Sequence, residues 1–493
     1  MLRPNPLLYQ LPVLPWLREL SDAEERPLTL ESVPASRWDE LARHGCDLVW
    51  LMGVWQRSRT GRQILLSDPG RRALYDALLP GWRPEEVAGS PFSLSSYAPS
   101  PEVGGWGGLA AAREELNRRG IGLVLDFVAN HTGPDHPWVR EAPDFFFPGR
   151  PDQVLDDPAA FHHGHDDPAG ILHLAKGRDP YFPPWADTCQ LNYFNRRLRE
   201  TVVAEARSVA SRCDGLRCDM AMLELDHVFG RQWNSFYRHQ EGWDPVFDFW
   251  NEVREAVPRS LLVAECYWET EWSLSEAGFD FLYDKRFYDR LLLGQPHDLL
   301  AHLRADPAFQ GKLVRFLENH DEARCAETFG PDHLEAAAVL LFTLPGMKLL
   351  HHGQIQGRRL KAPPELARFP AEETDPRVEA IHRKLLALLA DPIFHGGEWH
   401  LGRTTPAFDE SHHSLVTYSW RKGDQIRLVA ANPSGVQVQG RIPLEGACLG
   451  DPCFLEDLLS GEVFQRSGAE MADAGLHVLL PPFRAHVFRP VPS

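Results

Sequence analysis

The run Gly215-Leu216-Arg217-Cys218-Asp219 carries an arginine among apolar residues and ends on a carboxylate. Three further stretches share the design: Gly122-Leu123-Val124-Leu125-Asp126-Phe127-Val128-Ala129-Asn130-His131, Leu261-Leu262-Val263-Ala264-Glu265, and Phe316-Leu317-Glu318-Asn319-His320-Asp321. Short apolar runs bounded by polar residues read as strands buried on both faces. A carboxylate cannot sit cheaply inside such a core, so each acid is expected at a strand end. Several strand ends converge on one site only in a parallel sheet or barrel.

Outward from these blocks, strand-like and helix-like segments alternate. Strands are expected near 7–11, 47–52, 121–125, 215–219, 260–264, 278–283, 312–317 and 348–350. Helices are expected near 35–44, with Ser36 as N-cap and Gly45 as stop, and near 109–119, 195–211, 245–256, 285–293, 334–342 and 378–389. About eight such alternations make an α/β chain of the (β/α)8 TIM-barrel class. The expected barrel runs over 1–131 and 189–391. A loop-rich insertion after the third strand takes 132–188. From 392 to 493 short alternating runs indicate an antiparallel β-sandwich domain.

In a barrel the site lies at the C-terminal ends of the strands. Asp219, Glu265 and Asp321 then fall at strands four, five and seven. Two carboxyl groups, one nucleophile or base and one proton donor, are what glycosidic cleavage commonly needs. Arg217 stands two residues before Asp219 and so faces the same way. A guanidinium there would hold Asp219 ionised. Glu265 would need a raised pKa to act as the acid.

The four blocks resemble the four short conserved regions of the alpha-amylase family, glycoside hydrolase family 13. The resemblance implies Asp219 as the nucleophile that forms a covalent glycosyl intermediate, Glu265 as general acid/base, and Asp321 as the third acid, which grips sugar hydroxyls. It implies Arg217 as the residue that orients the nucleophile, His131 and His320 as sugar contacts, Asp126 as a supporting acid, and Asn130 as a structural residue that is a calcium ligand in some members. Retention of anomeric configuration follows. Gln190-Leu191-Asn192 resembles a further block near the insertion's end.

The chain also departs from the family pattern. Met222 and Leu223 stand where many members carry a polar pair after the nucleophile. Ser90-Pro91-Phe92-Ser93 replaces a Gly-Tyr-Asp segment, leaving Phe92 as a stacking face without a hydroxyl. His351-His352-Gly353-Gln354 lacks the acid that follows the glycine in many relatives. The specificity subgroup is therefore not identified.

A net charge of -18 argues against nucleic acid or an anionic membrane as partner and leaves an uncharged ligand as the better fit; the resemblance implies an alpha-linked sugar. The first residues read neither as a signal peptide nor as a membrane span. The eight cysteines are scattered, several within apolar runs, which suits reduced thiols in a cytoplasm. No cofactor is required. Calcium stays open, with Asn130 and the acids Asp144, Asp156, Asp157, Asp166 and Asp167 as oxygen donors. The histidines His162, His163, His165 and His173 read as hydrogen-bonded or solvated rather than metal-binding. Of the insertion's aromatics, Trp138, Phe145, Phe146, Phe147, Tyr181, Phe182 and Trp185, most read as a local core and one or two as sugar platforms. Trp50, Trp55 and Trp106 read as core or as support behind the site. Three functions follow in order: a retaining alpha-glycoside hydrolase acting on oligosaccharides or alpha-glucans, a transglycosidase or phosphate-acceptor glucan transferase with the same first step, and a binding scaffold without catalysis. The intact acids argue against the last. Oligomeric state is not legible.

Overall fold

The computed structural model describes residues 2–162, 165–167, 170–444 and 451–491. Eight strands close a parallel barrel in sequence order: β1 Leu7–Pro12, β2 Leu48–Met52, β3 Gly122–Val128, β4 Gly215–Asp219, β5 Leu261–Ala264, β6 Phe281–Tyr283, β7 Leu313–Arg315 and β8 Met347–His351, with β8 pairing back to β1. Strands β2, β4 and β8 are buried at every position, as a barrel packed on both faces requires. The β3–β4 register places Asp126 opposite Arg217, and the β4–β5 register places Cys218 opposite Ala264. Glu265 is the next residue, its N–H still donating to the Cys218 carbonyl. The strands thus deliver Asp126, Arg217, Asp219 and Glu265 to one end of the barrel.

Helix bounds move where caps decide them. The helix Ala35–Arg43 begins after Pro34, so Ser36 lies inside it and is not its cap. Asn195 does cap Arg196–Ala210, accepting from the Arg197 N–H. Two helices after β2, Arg59–Ser67 and Pro69–Leu78, have no counterpart in the periodicity reading. Ser58 and Asp68 cap them and Pro69 opens the second.

After β3, His131–Thr132 pairs antiparallel with Cys189–Gln190 and forms the neck of the insertion. Its core is aromatic: Phe145, Phe146 and Phe147 are buried, and Phe147 stacks on Trp233 at 4.9 Å. Tyr181 and Phe182 stand exposed at its surface. Trp50 and Trp55 are core, whereas Trp106 corrects the expectation: it is 44% exposed on the first turn of Gly105–Arg118, under the Arg212 guanidinium.

Beyond the last barrel helix, Pro376–Leu389, the chain forms a six-stranded antiparallel sheet and a two-stranded one. The strands are β9 Glu398–Leu401, β10 Val416–Lys422, β11 Gln425–Ala431, β12 Val438–Ile442, β13 Cys453–Asp457, β14 Val463–Arg466, β15 Leu476–Leu480 and β16 Ala485–Val491. Alternation assigns the two faces of the larger sheet. Leu428, Ala430 and Leu455 meet Val438, Val478 and Leu480 of the β12–β15 pair in a separate small core. Val416, Tyr418, Trp420 and Val429 turn the other way and join the barrel's core. The Trp420 indole N–H donates to the Thr343 carbonyl at 2.7 Å, and the Tyr418 hydroxyl lies 2.6 Å from Thr343 Oγ1.

Candidate active site

Arg217, wholly buried, is the hub. Its Nη1 donates to Asp219 Oδ1 at 2.6 Å, and its Nη2 lies 2.8 Å from Glu265 Oε2. Asp126 Oδ1 is 3.7 Å from Nη1. One guanidinium thus bridges the two acids expected to do the chemistry, with a third carboxylate beside it. The rings of Trp50, Phe92 and Tyr283 surround the cation at 4.8, 5.2 and 5.8 Å. Burying a charge is costly unless it is paired, and here three acids and three ring faces share that role.

Asp126 is held by the Trp50 indole N–H at 3.0 Å and the Gly53 N–H at 3.2 Å. Burial pushes its carboxyl up to about 7, against the pull of Arg217. Glu265 accepts from the Met220 N–H at 2.8 Å and the Tyr267 hydroxyl at 2.9 Å. Burial raises it to about 7; Arg217 opposes the rise, and the Asp219 and Asp321 charges add to it. That is the raised acid the chemistry calls for. Asp219 is raised as well, again by burial first, with Arg217 pulling down. Arg217 was expected to hold Asp219 ionised; it pulls in that direction, and desolvation is the larger, opposing influence.

Asp321 lies six residues beyond the last residue of β7, on a loop, with its side chain 44% exposed toward the barrel mouth. Asn319 Oδ1 accepts the N–H groups of Asp321 and Glu322 and shapes that loop. His320 Nε2 is 3.0 Å from Asp321 Oδ2, and Gln10 Nε2 is 2.7 Å from His320 Nδ1. Phe92 packs on His320 at 5.1 Å, so it does line the site. His131 sits at the insertion's neck, 5.1 Å from Trp185. Burial lowers His131 to about 4 and His320 to about 3, so both rings are neutral at neutral pH. A neutral imidazole has one donor and one acceptor; in His320 the acceptor Nδ1 is taken by Gln10, which leaves the Nε2 N–H beside Asp321 as its donor.

The Asn130 side chain pairs with Gln190. Its Oδ1 accepts from Gln190 Nε2 at 2.9 Å, and its Nδ2 donates back to Gln190 Oε1. Asp144 is engaged by Asn195 and Arg197. The side-chain oxygens of both residues are thus engaged by protein donors. The side chains of Asp166, Asp167 and His165, and all of His163, lie outside the described residues. His162 Nε2 lies 2.7 Å from the Thr188 carbonyl, and His173 Nδ1 lies 3.0 Å from the His162 carbonyl.

Several residues at the site carry no signal in the sequence. Met220 adopts φ +46°, a left-handed conformation rare for a side chain of its size, and so aims its N–H at Glu265. Trp268 and Glu269 follow the acid with φ +58° and +65°; Trp268 packs on Tyr181 at 5.0 Å, joining the insertion to the rim. Lys361, from the loop after β8, donates to the Asp321 carbonyl. Glu224 is buried with neither oxygen hydrogen-bonded, and burial drives its pKa well up. Met222 and Leu223 are buried in the turn after β4. Tyr267 stands two residues beyond Glu265, past the end of β5 at Ala264.

No family model matches the chain. Alpha-amylase MalA of Haloarcula japonica is 28% identical over 354 residues, which cover 69% of this chain and 43% of that protein. Alpha-amylase 3 of Dictyoglomus thermophilum is 24% identical over 278 residues, covering 53% of this chain and 52% of its own length. The chain thus spans about half the length of these two relatives. The crystal structure of the maltogenic alpha-amylase AmyB of Thermotoga neapolitana shares the fold, with a TM-score of 0.70 over 100% of both chains at 18% identity.

Proposed function

The chain is similar to the alpha-amylase family in sequence and in fold, and on that premise we propose that it is a retaining hydrolase of alpha-glucosidic bonds in oligosaccharides or alpha-glucans. The observation that carries this reading is the Arg217 bridge between Asp219 and Glu265 at the ends of adjacent strands. Asp219 attacks the anomeric carbon as Glu265 gives its proton to the departing oxygen, leaving a glycosyl ester on Asp219. Glu265, now a carboxylate, takes a proton from the incoming water, which releases the sugar with its configuration kept. Asp321, His320 and His131 hold hydroxyls around the reacting ring. Phe92 supports its apolar face.

A transferase reading shares the first half. The apolar Met222 and Leu223 keep it open, and branching enzymes occur among the sequence relatives. Among the described residues seven cysteines are free and buried, which supports a reducing compartment, and no helix is long and apolar enough to cross a membrane. The test is product analysis on a panel of alpha-glucosides and alpha-glucans, with maltose or phosphate as acceptor. Free sugar with retained configuration is expected; transfer products alone would replace hydrolysis with transfer. Asp219→Ala is expected to lose at least about 1,000-fold in kcat, the scale on which removal of a covalent nucleophile is felt. Full activity in that variant would remove the mechanism.

A further inference from the structure

We propose that Glu410, His412 and His413 form a binding site for one divalent transition-metal ion of the zinc class, remote from the barrel mouth. Among the described residues they are the one set of three such side chains whose ligand atoms all lie within 4.8 Å of one another. Glu410 Oε2 is 3.4 Å from His413 Nε2 and 3.9 Å from His412 Nδ1. Zinc holds imidazole nitrogen and carboxylate oxygen at about 2.0–2.2 Å, so two ligands of one ion stand no more than about 4.4 Å apart. Both measured separations meet that limit. The remaining one closes by rotation of Glu410 and His413, whose side chains are 78% and 69% exposed.

His412 is what sets the cluster apart from a surface coincidence. The residue is 4% exposed, and its Nδ1 has no hydrogen-bond partner. A buried ring nitrogen left without a partner is costly, and a metal ion would satisfy it. The ring is held in place by its surroundings. The 3-10 turn Ser411–Ser414 packs against β12, where a Cβ on Gly440 would come within 2.9 Å of the His412 Cβ. Thr404 Oγ1 donates to the His412 carbonyl at 3.1 Å. The other face of the turn meets the barrel helix Pro296–Leu303. One fixed buried ligand and two exposed ones that swing in make a site that closes on its ion. Neighbouring Asp409 is engaged by Ser411 and Gln439 and leaves the cluster to the three ligands.

Two imidazoles and one carboxylate select zinc, copper or nickel over calcium and magnesium, which take oxygen donors. Three protein ligands leave a coordination position to water. The bound ion would close on the turn that lies between the barrel helix Pro296–Leu303 and β12.

The test is titration of the full chain, first stripped with a chelator, with Zn²⁺ against a chromogenic competitor. One saturable site is expected, with affinity at least tenfold weaker in the double variant Glu410→Gln/His413→Ala. Both replaced side chains are exposed, so folding is preserved. Zn²⁺ should also raise the unfolding temperature of the natural chain and leave that of the variant unmoved. Absence of binding, equal affinity in the variant, or equal affinity for Ca²⁺ would each overturn the proposal.

Discussion

At the residue scale the site is a balance between desolvation and one guanidinium. Glu265, raised to about 7, must be protonated to act, so kcat/KM should fall about tenfold per pH unit above about 7. Tyr267 donates to the Glu265 carboxylate and so favours its charged form. Tyr267→Phe should therefore move that basic limb to higher pH, read from the pH profile of kcat/KM. Glu224 offers a separate check on stability. Its folded pKa lies above the unfolded value, so the folded state holds more protons as pH rises past that value. By linkage the natural chain then loses stability with rising pH. Glu224→Met keeps the shape and removes the titration. The variant should gain on the natural chain between pH 5 and 8 in urea unfolding; a constant difference would mean Glu224 finds a partner on ionising. Arg217, Asp219 and Glu265 were legible because chemistry limits which residue types can do this work. Met220, Trp268 and Lys361 were not, because a backbone conformation or a reach from a distant loop leaves no periodic trace.

At the element scale, tight links position the strand ends. Gly346, between the helix Gly330–Thr343 and β8, has φ +89°, and a Cβ there would stand 2.3 Å from the Leu313 carbonyl oxygen. Left-handed backbone alone costs an alanine about 1–2 kcal/mol, and the overlap adds to it. Gly346→Ala should destabilise the fold by at least about 2 kcal/mol in denaturant unfolding. Pattern reading found each barrel strand because each is a short apolar run. It missed the helices Arg59–Ser67 and Pro69–Leu78, whose exposed faces blur the 3.6 period and whose starts rest on the caps Ser58 and Asp68. It placed Asp321 at a strand end, whereas β7 stops at Arg315 and a loop carries the acid.

At the scale of the whole molecule, the C-terminal sheet is part of the barrel's packing. Trp420→Phe removes the indole donor from the buried Thr343 carbonyl and should lower stability by about 1–3 kcal/mol without changing KM. A change in KM would show that the sheet also shapes the site. Local pattern determined the strand–helix alternation, the acids at strand ends and the apolar faces, because burial and side-chain direction are set by neighbours in the chain. Only the tertiary structure decided that one arginine bridges Asp219 and Glu265, that Asn130 is engaged by Gln190, that Met222 and Leu223 are buried, and that three residues of a C-terminal turn converge. Those facts depend on barrel closure and loop path, which bring together groups that no spacing in the sequence relates.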